Sequence, residues 1–406
     1  MTGPSRFEFP AHVADSPFQR LAALIADHQP GAQPIDLAVG GPRHAIPPFV
    51  AETIAAQASG FGPYPAIKGT KEFRAAVAGW LDRRFATGSL IDPMTSILPL
   101  NGSREGLYFA SLGAAGYLRK EAGQQPVVFV PNPGYPAYAV GAYGIGAEVI
   151  PYVPSEPGGV MPDWGAIDPA VLDRTVAVFV GSPSNPQGAC ATRQDWADLL
   201  ERARAHRFMV FADECYSEIY REAAGPPAGA LDAAAKTGSL DNLVVFNSLS
   251  KRSSLPGLRC GFAAGDPAFL AHWARLRNVA APQVPAPMQA VAAEAYRDEA
   301  HVAENRRLYD AKFAKAELAL GALFSGLTPP GGFFLWLDVS AYGDDAEVTR
   351  RMWTEAGVRS VPGSYLGAPM PDGSNPGAGR VRLALVQDET ATEEAVRRLA
   401  DMFGTW

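Results

Sequence analysis

The chain has little cysteine, little histidine and no excess of positive charge, and each shortage removes a class of function. Its three cysteines, Cys190, Cys215 and Cys260, are widely spaced and odd in number. That argues against a disulfide framework or a CxxC metal site and fits a reducing compartment. The six histidines, among them His12, His44 and His301, show no HxxxH or similar spacing, so no metal is expected. Asp and Glu outnumber Lys and Arg by 42 to 35, for a formal net charge of -7. Broad adhesion to nucleic acid or anionic lipid needs the opposite imbalance, so neither nucleic acid nor membrane is an expected partner. No apolar run approaches the roughly 18 residues of a membrane span. Residues 1–21 carry Arg6, Glu8 and Asp15 among prolines and lack the apolar core of a secretory signal. A soluble, cytoplasmic protein is the expectation.

What is present reads as globular. Hydrophobic residues make up 47% of the chain and charged residues 19%, far from the signature of disorder. A chain of 406 residues predicts a large domain with a smaller companion. Apolar runs at 127–130, 176–180, 208–212 and 243–247 are bounded by turn residues and read as strands buried on both faces. Amphipathic stretches separate them, such as 193–206 with Thr192 as N-cap, so a parallel or mixed α/β sheet is expected. After about residue 280 the pattern changes. A long helix-like stretch, 286–323, breaks near 326–330 and is followed by a strand at 333–339, a helix at 346–356, a strand at 380–386 and a helix at 390–402. The Gly/Pro-rich stretch 363–379 reads as a loop between strands. The predicted division is a large domain at 46–280, with 1–45 and 281–406 forming the smaller α+β domain.

Open α/β sheets bind ligands beyond the carboxyl ends of their strands, which directs attention to the polar residues following each run. Ser184-Asn185-Pro186-Gln187-Gly188 follows the second run, Asp213-Glu214-Cys215-Tyr216 the third and Ser248-Leu249-Ser250-Lys251 the fourth; Arg259 precedes another apolar stretch, 260–264. This succession resembles the class I and II aminotransferases, and the resemblance runs from about Ile35 to the C-terminus. It implies pyridoxal 5′-phosphate as cofactor. It also implies an α/β, fold type I architecture whose large domain holds a mixed, mostly parallel seven-stranded sheet between helices.

That cofactor needs a nucleophilic amine, a carboxylate at its pyridine nitrogen, donors near its phenolic oxygen and a cradle for its phosphate. By the resemblance, Lys251 supplies the amine and then acts as general base and acid. Asp213 pairs with the ring nitrogen, and Asn185 and Tyr216 reach the phenolic oxygen. Gly102, Ser103 and Arg104 open a predicted helix whose free N–H groups suit the phosphate, with Ser248, Ser250 and Arg259 adding hydroxyls and a charge. Tyr135, in Asn132-Pro133-Gly134-Tyr135, matches the position whose ring stacks on the cofactor. Tyr64 matches a tyrosine that reaches the phosphate in a neighbouring subunit, which implies a homodimer with sites at its interface. Arg382 matches the arginine that binds the substrate α-carboxylate. Strand alternation puts Arg380 on the same face, so spacing alone does not choose between them. Gly40 or Gly41 brings backbone to the same carboxylate, with Asn185 beside it.

Within the superfamily, several segments resemble N-succinyldiaminopimelate aminotransferases: Asn101-Gly102-Ser103-Arg104-Glu105, Asp213 to Tyr220, Ser248 to Ser253 and Pro362-Gly363-Ser364-Tyr365-Leu366. The implied substrates are amino acids and 2-oxo acids, with amino transfer from glutamate to N-succinyl-2-amino-6-oxoheptanedioate. Both have a second acidic end, for which Arg104 is the expected cation and Lys68, Arg43 and Arg252 are alternatives. Competing readings are aspartate, acetylornithine or aromatic specificity, carbon-sulfur lysis on the same scaffold, and a cofactor-binding regulator.

Overall fold

The computed structural model describes Pro10, residues 16–121 and residues 123–405. The signal-segment reading of residues 1–21 and the placement of 1–45 in the smaller domain therefore lie partly outside the described residues, as does His12.

Seven strands form the large sheet: β1 (Ile97–Leu100), β2 (Val127–Pro131), β3 (Glu148–Tyr152), β4 (Thr175–Gly181), β5 (Met209–Asp213), β6 (Leu243–Ser248) and β7 (Gly261–Gly265). Their spatial order is β1-β7-β6-β5-β4-β2-β3. Only β7 runs against the rest, pairing antiparallel with both β1 and β6, while the remaining neighbours are parallel. The carboxyl ends of β1, β2, β4, β5 and β6 therefore open on one edge.

Both faces of this sheet are covered, which explains the unbroken apolar runs. In β4, Val178 and Val180 enter the core on one face, and Ala177 and Phe179 enter it on the other. The helix Arg193–His206 shows how the cover is built. Thr192 and Asp195 form a reciprocal capping box, and Trp196, Leu199, Leu200 and Ala203 make one buried stripe at i, i+3, i+4 and i+7. Burying each large apolar side chain there stabilises the fold by roughly 1.5–3 kcal/mol.

The stretch expected as one long helix, 286–323, is two, Ala286–Arg297 and Ala300–Leu320. Asp298 breaks it by turning extended and accepting the Ala300 N–H on its carboxylate at 2.9 Å. The first helix puts Val291, Ala292 and Tyr296 into the core of the large sheet.

A second, antiparallel sheet has the order β9-β10-β8, formed by β8 (Phe334–Asp338), β9 (Val361–Pro362) and β10 (Arg380–Ala384). Helices Ala300–Leu320, Asp345–Ala356 and Glu389–Phe403 contribute to its own apolar core. Ile35–Asp36 pairs in parallel with Val358–Arg359, so the early chain joins this late unit. The loop 363–379 is tied to the large sheet by Asn132, whose amide donates to the Ala368 carbonyl at 2.9 Å and accepts its N–H at 2.8 Å.

Candidate active site

Lys251 lies in a single turn of helix, Leu249–Arg252, directly after β6. Its ammonium donates to the Gly40 carbonyl and lies 5.2 Å from the centre of the Phe333 ring and 5.8 Å from that of Tyr216. Burial among these groups lowers its pKa to about 8; Arg382 and Arg104 add to the push, and Cys215 and Asp213 oppose it. Deep placement thus turns an ordinary lysine into an amine that gives up its proton easily.

Asp213 ends β5, its side chain facing the same cleft. Its carboxylate accepts the Tyr138 hydroxyl at 2.7 Å and the Cys215 N–H at 3.2 Å. Burial raises its pKa, and hydrogen bonding by the Cys215 side chain, the Tyr138 hydroxyl and the Cys215 N–H, with the charge of Lys251, pulls it back. Lys251, Asp213 and Tyr216 all sit deep in the fold yet keep part of their surface open. Tyr216 packs edge-on against Phe333 and Phe334, and burial raises its hydroxyl pKa.

Gly102 has φ of 77° and begins the helix Ser103–Leu118. The backbone conformation favours glycine, and a Cβ there would push the Arg259 guanidinium out of its place. Arg259 is fixed by the carbonyls of Pro256 at 2.9 Å and Asn101 at 3.2 Å. Ser248 and Ser250 exchange a hydroxyl contact at 2.9 Å, and Ser103 accepts the Cys215 thiol at 3.2 Å. Helix N–H groups, three hydroxyls and a guanidinium thus gather in one place, a donor set suited to a phosphate.

Arg382 comes from the middle of β10 and is 4% exposed. It donates to Asn185 Oδ1 at 3.0 Å and to the Ala38 carbonyl at 2.9 Å, and it lies over the Phe334 ring. Among the described residues no carboxylate pairs with it, and Nε has no partner. Burial lowers its pKa only to about 10, so it is charged at neutral pH. Arg380 faces Asp338 across the strand pair at 3.1 Å and is half-exposed, which separates the two arginines that spacing could not.

At the mouth, Arg104 donates to the Tyr135 hydroxyl at 2.5 Å and is otherwise exposed. Gly40, not Gly41, contacts Lys251; a Cβ on Gly41 would meet nothing within 4 Å. The same loop is anchored at His44, which meets Asn305 at 2.9 Å and the buried Lys312 at 2.7 Å. Of the alternative cations, Arg252 is buried on Glu299 at 2.7 Å, Arg43 meets Gln387 at 2.9 Å, and Lys68 lies near the helix Pro267–Ala280. Tyr64 is 99% exposed and touches none of these groups. Tyr138 and Cys215 are the residues the sequence reading passed over. An aromatic and a thiol beside apolar neighbours look like core, and only the position of Asp213 two residues before Cys215 hints otherwise.

The set fits pyridoxal phosphate: a depressed amine, a carboxylate open to the cleft and a cradle of donors around Gly102. Among the described residues, no group of three or more His, Cys, Asp or Glu is placed to hold a metal ion, and no helix is long and apolar enough to cross a membrane.

The family model "Aminotransferase class I and II" matches residues 32–399. LL-diaminopimelate aminotransferase of Nitratidesulfovibrio vulgaris is 31% identical over 379 residues, 92% of each chain. A solved aminotransferase from Neisseria meningitidis superposes with a TM-score of 0.88 at 35% identity, covering 96% of this chain and 98% of that one. A probable N-succinyldiaminopimelate aminotransferase from Thermus thermophilus gives a TM-score of 0.82 at 26% identity, covering 95% and 100%.

Proposed function

The chain belongs to the class I and II aminotransferases, which use pyridoxal 5′-phosphate, and from that premise we propose transfer of an amino group from glutamate to N-succinyl-2-amino-6-oxoheptanedioate. The products are N-succinyl-LL-2,6-diaminopimelate and 2-oxoglutarate. The observation that carries this reading is Arg382, a buried guanidinium that meets no carboxylate among the described residues and lies beside a depressed lysine.

Bound at Lys251, the cofactor supplies an electron sink for the pair left on the substrate α-carbon when its proton departs. The chain's residues do the rest. Arg382 and Asn185 hold the α-carboxylate, with Gly40 backbone alongside. That grip fixes the α-carbon, and Lys251 Nζ, once released, removes its proton and later returns it. Asp213 would serve the ring nitrogen, Tyr216 and Asn185 the phenolic oxygen, and Tyr135 the face of the ring. Gly102, Ser103, Ser248, Ser250 and Arg259 would hold the phosphate. Arg104 takes the distal carboxylate at the mouth.

The same proposal includes a cytoplasmic homodimer in which Tyr64 reaches its partner's phosphate cradle; support comes from its full exposure beside Phe61, itself 51% exposed. The domain division is proposed as predicted from the sequence, with Ala286–Arg297 moved to the large domain whose core it shares.

A second reading, LL-diaminopimelate itself as amino donor, is favoured by relatives of that name. The two differ in charge: succinylation replaces a distal ammonium by an amide and a further carboxylate, which a cation at the mouth prefers. Purified protein should show a visible band that glutamate abolishes and 2-oxoglutarate restores, and that Lys251→Ala lacks. Comparing kcat/KM on both diaminopimelates, in wild type and Arg104→Ala, then tests the choice. The succinylated substrate should be preferred, and Arg104→Ala should lose about tenfold on it. Equal rates before and after the substitution would sink the role of Arg104.

A further inference from the structure

We propose that Tyr138 is a positioning residue for Asp213: its hydroxyl holds the carboxylate ionised and aimed into the cleft, so that cofactor retention depends on a residue that touches no cofactor atom. The proposal rests on the reading that Asp213 faces the ring nitrogen.

Asp213 is a buried anion without a cation in ion-pair contact among the described residues. Such a group is neutralised unless donors compensate for lost water. Two do, the Cys215 N–H on Oδ1 at 3.2 Å and the Tyr138 hydroxyl on Oδ2 at 2.7 Å. The second is the shorter and comes from an oxygen donor; the weakly donating Cys215 thiol also lies against the carboxylate. The titratable groups facing Asp213 are Tyr138 from the helix Pro136–Tyr143, Cys215 from its own loop and Lys251 beyond β6, with the Tyr135 and Tyr216 hydroxyls further away.

The donor is well fixed. The Tyr138 ring is stacked on Phe179 of β4, centroids 4.9 Å apart and planes 14° apart, and meets Tyr135 edge-on at 5.7 Å. It is 3% exposed, and burial beside Asp213 keeps its proton on oxygen throughout the working range. Tyr138 therefore donates at every relevant pH and never competes as an anion. It also binds the helix that carries Tyr135 to the strand end that carries Asp213, so the face and edge of the cofactor site are set by one contact.

The test uses the holoenzyme in a four-protein cycle: wild type, Tyr138→Phe, Asp213→Asn and the double variant, each checked for folding by thermal melt. The readouts are cofactor release by dialysis and the pH titration of the visible band. Tyr138→Phe keeps the stacking ring and should weaken retention by roughly 10- to 100-fold, the worth of a hydrogen bond to a charged group. In the Asp213→Asn background the same substitution should change retention by less than about threefold, because what it acts through is gone. A ring-fluorinated tyrosine at 138, a stronger donor of nearly the same shape, should tighten retention. If Tyr138→Phe matches wild type while Asp213→Asn does not, or if the two losses simply multiply, Tyr138 is only a packing residue and the proposal is overturned. If Asp213→Asn itself matches wild type, the reading of Asp213 fails and takes this proposal with it.

Discussion

Arg277 and Arg382 are both buried guanidiniums, one in the last turn of the helix Pro267–Ala280 and one in the cleft, and their surroundings differ in one respect. Arg277 has a forked pair of contacts to Glu105 at 2.6 and 2.8 Å. Arg382 has an amide oxygen and a carbonyl but, among the described residues, no carboxylate. Burying a cation costs several kcal/mol, and the fold recovers that cost for Arg277 inside the chain. For Arg382 the compensating anion has to come from outside. A buried charge paired internally belongs to the structure; one left unpaired among deep polar groups belongs to a ligand.

The comparison can be broken most directly at Arg277. Arg277→Ala strands Glu105 and should cost about 3–5 kcal/mol in a denaturant melt. Arg382→Ala should leave the melt within about 1 kcal/mol of wild type, or raise it, while kcat/KM for glutamate falls by roughly 10²–10³. Equal destabilisation by the two substitutions would erase the distinction.

Adjacent carboxylates repeat the contrast with opposite charge. Asp213 faces the cleft, whereas Glu214 points the other way, is 1% exposed and accepts the Ala230 N–H at 2.7 Å. Burial pushes Glu214 up to about 8. A carboxyl raised on folding contributes stability that is full below its unfolded value and is lost as pH rises through the folded one. Stability should therefore decline between about pH 4.5 and pH 8, and Glu214→Gln should flatten that decline; an unchanged slope would remove Glu214 as its source. The smallest effect is expected far from either site. Thr192→Ala loses the reciprocal cap of Arg193–His206 and should cost about 1 kcal/mol with kcat/KM unchanged.

The large sheet was legible because parallel strands buried on both faces leave unbroken apolar runs, and Thr192 announced its helix by a cap. The break at Asp298 was not legible, since one polar residue inside a helical pattern is ordinary until its carboxylate is seen capping the next helix. At the site, the motif residues lie at strand ends where chain order already groups them. The family motif already picked out Arg382, which spacing alone does not; telling Gly40, which meets Lys251, from Gly41 needed the partner across the cleft. Arg252 shows the converse. It sits beside Lys251 in the chain, yet a turn of helix sends it into the core against Glu299.

The contact between Arg382 and the Ala38 carbonyl joins positions 344 residues apart. At ordinary synthesis speeds of about 5–20 residues per second, roughly 20–70 s separate the emergence of the two ends. Only in the last part of that interval, after Lys251 has followed Asp213 out, does a nascent chain hold both of these residues while still lacking Arg382. A polypeptide stopped short of β10 would lack the one guanidinium described above that waits for an anion from outside, so the deepest charge of the cleft is among the last parts of this molecule to be made.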